Sequence, residues 1–86
     1  MPDAFIVTIS DAKGQFEADL EIPSSLPFSA FKAKLLEILK IMDDDIFGPW
    51  RDYRLRFNSQ TFGSGDTLAA AGAFDGSRLI VERVRL

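Results

Sequence analysis

Residues 16–42 read FEADLEIPSSLPFSAFKAKLLEILKIM, and a change of period inside this stretch decides the fold. From Phe16 to Ile22 the chain alternates. Ala18, Leu20 and Ile22 fall on one side and Glu17, Asp19 and Glu21 on the other, the period of a half-buried strand with an acidic outer row. Pro23 and Pro27 bracket Ser24-Ser25-Leu26 and close the strand off. Pro27 suits the start of a helix, where its missing N–H costs nothing. From Phe28 the period becomes helical: Phe28, Phe31, Leu35, Ile38, Leu39 and Met42 make one apolar stripe, with Lys34, Glu37 and Lys40 opposite. The spacing predicts one amphipathic helix of about four turns, long enough to cover a small sheet.

Upstream, Ala4 to Ser10 is rich in β-branched residues, with Phe5, Val7 and Ile9 at period two. Asp11-Ala12-Lys13-Gly14 is turn chemistry, so this strand and the next form an amino-terminal hairpin. Downstream, Asp43-Asp44-Asp45 opposes the macrodipole at a helix carboxyl end and stops the helix. Gly48-Pro49 then leaves Ile46, Phe47 and Trp50 in a loop. Tyr53 to Phe57 predicts a third strand, with Tyr53, Leu55 and Phe57 inward and Arg54 and Arg56 outward. Asn58-Ser59-Gln60 turns the chain, Thr61-Phe62 is a brief strand, and Thr67 to Ala73 is a short helical connection. Asp75-Gly76 turns into a last strand, Arg78 to Val84. The order ββαββ is an α+β architecture, a mixed sheet with one helix packed across one face.

With 86 residues there is room for one core and one domain, spanning 1–86. Thirteen acidic residues against ten basic ones give a net charge of −3, a poor balance for a general nucleic-acid binder. The chain has neither His nor Cys, which removes the commonest general base, the commonest zinc ligands, thiolate catalysis and disulfides. Disulfide-free stability suits the cytoplasm. Met1-Pro2-Asp3-Ala4-Phe5 shows no leader pattern, and charges interrupt the apolar helix, so direct membrane insertion is not expected. No motif pairs a Ser or Lys with a base. The expectation is a non-enzyme with no cofactor and no metal.

Several segments resemble ubiquitin. Phe31-Lys32-Ala33-Lys34-Leu35 is similar to its helix block Val-Lys-Ala-Lys-Ile, and Gly65-Asp66-Thr67-Leu68 followed by Ser77-Arg78-Leu79 to the blocks before its last strand. Two longer stretches resemble the bacterial YukD/EsaB family: Asp19-Leu20-Glu21-Ile22-Pro23 running into Leu26-Pro27-Phe28, and Leu68 to Ala73 followed by Phe74-Asp75-Gly76-Ser77-Arg78-Leu79. The shared residues are mostly fold-forming. This resemblance implies a ubiquitin-like β-grasp in the strand order 2-1-5-3. It also implies a small cytoplasmic accessory or regulatory component of a type VII secretion system, with a secretion-system ATPase or membrane components as protein partners. The alternatives are a β-grasp adaptor in another pathway, and a modifier or sulfur carrier. The last needs a Gly-Gly end, whereas this sequence has no glycine after Gly76 and ends Arg83-Val84-Arg85-Leu86. Where ubiquitin's receptor-binding patch is apolar, the matching positions are Arg56, Glu82 and, near the first turn, Ala12.

In such a fold one sheet face stays bare. Its candidate protein-binding residues are Ile6, Thr8, Arg54, Arg56, Ile80 and Glu82, an apolar centre between the acidic row of Glu17, Asp19 and Glu21 and the two arginines. The same rows also suit a solvated face with cross-strand pairs such as Arg56 with Glu82. Trp50 suits an exposed anchor or, more commonly, a lid on the core's open end. Asp43-Asp44-Asp45 lacks the loop spacing of a hard-cation site and suits a solvated helix end. Gly63-Ser64-Gly65, without a following Lys, suits a turn. The arginines at 51, 54, 56, 78, 83 and 85 lack an outward stacking ring, so no nucleic-acid partner is expected.

Overall fold

A computed structural model describes residues 3–85; Met1 and Pro2, read above for a leader, and Leu86, read against a conjugatable tail, lie outside them. The chain runs β1 (Ala4–Asp11), β2 (Glu17–Pro23), α1 (Phe28–Met42), α2 (Asp44–Phe47), β3 (Asp52–Phe57), β4 (Gln60–Thr61) and β5 (Arg78–Val84). The five strands form one sheet in the order β2-β1-β5-β3-β4. Only β1 and β5 run parallel, pairing Thr8 with Arg78 and Ser10 with Ile80, and the other neighbours are antiparallel. The sheet is therefore mixed, as the α+β reading expects.

The first hairpin closes where the sequence places a turn. The Asp11 carboxylate accepts from the Phe16 amide at 2.9 Å, and Gly14 takes φ +73°, a left-handed conformation that glycine adopts without steric cost. At the other end of the sheet Asp75-Gly76 turns into β5 and is sewn to β1. The Gly76 amide donates to the Ile6 carbonyl at 2.8 Å, and the Ile6 amide donates to the Asp75 carboxylate at 2.9 Å.

Helix α1 lays Phe28, Phe31, Leu35 and Leu39 against Val7, Ile9, Leu55, Leu79 and Val81 from the sheet, and all of these are buried. Its amino end has no side-chain cap. Two of its free amides are instead met by distant carbonyls: Phe28 donates to Asp66 at 2.8 Å and Ser29 to Ser64 at 2.9 Å. The Gly63-Ser64-Gly65 turn is thus the cap of α1.

Four local expectations are corrected. Met42, expected on the buried stripe, is 48% exposed, because that end of the core is filled by the rings of Phe16, Phe47 and Trp50. Residues 44–47, expected in a loop, form the single turn α2. Asp43 accepts from the Ile46 amide at 3.2 Å, and Asp44 and Asp45 occupy the first turn, where acidic side chains complement the helix dipole. The acids that end one helix begin another. Residues 67–73 form turns with no helix, although Leu68 is fully buried there. The brief fourth strand is Gln60–Thr61, one residue earlier than expected, because Asn58 and Ser59 both take positive φ and make a tight two-residue turn.

Candidate protein-docking face

Alternation along each strand decides which side chains leave the core. On β1, Phe5, Val7 and Ile9 point inward beneath α1, so Ile6 and Thr8 take the opposite face. On β5, Leu79 and Val81 are buried, which turns Arg78, Ile80 and Glu82 outward, and on β3 the same rule turns Arg54 and Arg56 outward. All six expected residues, Ile6, Thr8, Arg54, Arg56, Ile80 and Glu82, therefore stand on one sheet face. Arg78, which the sequence places only in an arginine-rich end, joins them.

The register arranges this face as rows of polar partners. Glu82 sits between two arginines, with 3.6 Å to Arg54 and 3.6 Å to Arg56. Thr8 donates its hydroxyl to Asp19 at 2.7 Å. Arg78 reaches over β1 to Glu17 on β2 at 3.1 Å. The cross-strand pairing of Arg56 with Glu82 thus forms, and Arg54 shares it.

The apolar centre expected from Ile6, Thr8 and Ile80 is divided. Ile6 lies opposite Glu21, while Ile80 lies opposite Ser10 and Arg56. The Thr8–Arg78 row runs between them, so the two isoleucines are separated by four residues of strand, about 13 Å. Ile6 instead shares its end of the sheet with Phe74, in the turn that the Gly76 and Asp75 bonds tie to β1. Ile6 is 54% exposed and Phe74 63%. Sequence reading missed Phe74 because no periodicity governs a turn; its only signal is a large aromatic immediately before Asp75-Gly76.

Trp50 is buried, with its ring centroid 4.8 Å from that of Phe47, and closes the core. On the helix side of β3, Lys32 pairs with Asp52 at 2.8 Å. That bond and the Tyr53 amide hold the Asp52 carboxyl below its ordinary range. Tyr53 is buried beside it and donates its hydroxyl to the Lys32 carbonyl at 2.7 Å. Burial, followed by the Asp52 charge, pushes the phenol well above its ordinary value. Among the described residues no group of three acidic side chains converges as a metal site, and no helix is long and apolar enough to cross a membrane. The face offers charge rows and an apolar end, the chemistry of protein recognition.

No family model and no curated protein sequence matches the chain. Solved structures do. The ubiquitin-like domain of the type VII secretion system protein EccD1 from Mycobacterium tuberculosis superposes with a TM-score of 0.74 at 22% identity, over 95% of this chain and 99% of that one. The ubiquitin-like domain of EccD5 from Mycobacterium xenopi gives 0.80 at 17% identity, over 99% of both chains. A chain of the MycP5-free ESX-5 inner membrane complex gives 0.79 at 16% identity; 99% of this chain is covered, but only 22% of that longer one. The chain has the ubiquitin-like β-grasp fold and resembles the ubiquitin-like domains of type VII secretion EccD proteins.

Proposed function

We propose that this protein is a non-catalytic, cytoplasmic accessory or regulatory component of a bacterial type VII secretion system, of the kind represented by the YukD/EsaB family. In this reading it binds a secretion-system ATPase or membrane component non-covalently through the open sheet face, with Arg54, Arg56 and Glu82 setting register and Ile6, Thr8 and Ile80 adding contact area. The observation that carries the reading is the likeness, along nearly the whole chain, to the ubiquitin-like domains of the type VII secretion protein EccD1 and of EccD5, and to part of a chain of the ESX-5 inner membrane complex. The residue inventory supports the non-catalytic part, since neither His nor Cys is present.

Affinity recovery from the native host, washed once gently and once under denaturing conditions, tests the proposal. Secretion-system components that are lost on denaturation support it. Species that survive denaturation and carry this chain's mass on other proteins would establish a modifier instead, and partners from an unrelated pathway would establish a different adaptor.

A further inference from the structure

The exposed edge of β2 combines three features; its backbone edge and groove lie apart from the Arg54–Arg56 face, and its acidic row borders that face across β1. The first is backbone. β2 ends the sheet, with only β1 beside it. The bonds at the two ends of this pairing, from the Asp11 amide to the Phe16 carbonyl and from the Ser24 amide to the Asp3 carbonyl, set its alternation. By that alternation Ala18, Leu20 and Ile22 exchange bonds with β1, while the amides and carbonyls of Glu17, Asp19 and Glu21 point outward. Such an edge accepts a further strand.

The second feature is an apolar groove of about 280 Å³ between β2 and α1. Leu20 and Leu26 form one wall and Phe31, Leu35 and Ile38 the other, with Lys34 at the rim. Leu20, Leu26 and Ile38 are only half-buried, and no element among the described residues covers this side. The third is charge. Glu17, Asp19 and Glu21 project from β2 onto the opposite face, and among the described residues Glu21 has no ion-pair partner.

A strand laid beside β2 alternates its side chains between these two environments, one set over the groove and the next beside the acidic row. A second copy pairing β2 to β2 would bring two acidic rows together, which is repulsive. We propose that the β2 edge receives an extended segment of a partner protein in which apolar and basic side chains alternate, added to the sheet as a sixth strand. Pro23, which has no N–H, marks the end of the usable edge.

The test uses the whole chain, isotopically labelled, and two short synthetic peptides, one alternating valine with arginine and one alternating valine with glutamate. The expected result is binding of the arginine peptide, slowed amide exchange at Glu17, Asp19 and Glu21, and at least about tenfold weaker binding of the glutamate peptide. Ala30→Trp, at an exposed helix position lining the groove, blocks the apolar half of the site without touching the core, and Glu21→Lys weakens its charged half. Each is expected to lower affinity for the arginine peptide about tenfold, while Gln60→Ala, at an exposed position on β4 at the far edge of the sheet, leaves it unchanged. Equal binding of the two peptides, protection on β3 or β5 in place of β2, or no binding of either peptide would overturn the proposal. The sheet-face reading is tested separately, through capture of the native partner by the Arg54 and Arg56 variants.

Discussion

Arg78 on β5 spans the whole width of β1 to place its guanidinium 3.1 Å from the Glu17 carboxylate on β2. With Thr8 and Asp19 it makes the middle of the open sheet face polar, between Ile6 at one end and Ile80 at the other. Both partners of this ion pair are largely exposed, so its worth lies more in shaping the surface than in holding the fold.

Arg78→Ala is accordingly expected to change stability by less than about 1 kcal/mol, and by less still as salt rises. Urea unfolding at low and high ionic strength measures this. A loss of several kcal/mol that salt does not reduce would mean that Arg78 carries packing which its exposure does not indicate.

Glu82 is bracketed by Arg54 and Arg56 at 3.6 Å each, so the double replacement Arg54→Glu with Arg56→Glu surrounds one carboxylate with two more. The fold should survive, at a cost of about 1 kcal/mol, because all three side chains reach solvent. Capture of the native partner should be lost. Circular dichroism verifies the first outcome and affinity recovery the second; retained capture removes this face from the function.

Trp50→Ala and Phe47→Ala each remove a ring from an edge-to-face series in which Phe47 stands 4.9 Å from Phe16 and 4.8 Å from Trp50. Both rings are buried, so each variant is expected to lose about 3–5 kcal/mol, measured by chemical denaturation. A Trp50→Ala variant of native stability that no longer captures a partner would make Trp50 a surface anchor.

Tyr53 is the one tyrosine in the chain, so tyrosinate absorbance reports it alone. Burial raises its folded-state value above the 10.0 of an unfolded phenol. A group whose value is raised on folding stabilises the fold fully below its unfolded value and loses that contribution as pH rises through the folded one. Stability should therefore fall above pH 10.0, with the native titration displaced upward from that of the denatured chain. Tyr53→Phe removes this alkaline loss and costs about 0.5–1.5 kcal/mol at neutral pH, through the bond to the Lys32 carbonyl. Coincident native and denatured titrations would contradict the buried placement.

The bounds of α1 and β5, and the inward and outward sides of β2 and β3, were legible in the sequence because each depends on a local period: 3.6 along Phe28 to Leu39, and two along Phe16 to Ile22 and Tyr53 to Phe57. The pairing order came with the family resemblance; no local pattern makes β1 and β5 parallel neighbours. What only the tertiary structure decided is long-range. The amides at the start of α1 find carbonyls at Ser64 and Asp66, thirty-odd residues later in the chain. Asp43 reads as a helix terminator until the Ile46 amide folds back onto its carboxylate. The candidate face shows the same division. That Ile6 and Ile80 point outward follows from alternation within their own strands. That they fail to meet follows from the register of β1 on β5, which is set by the packing of both strands beneath α1 and is written in neither strand alone.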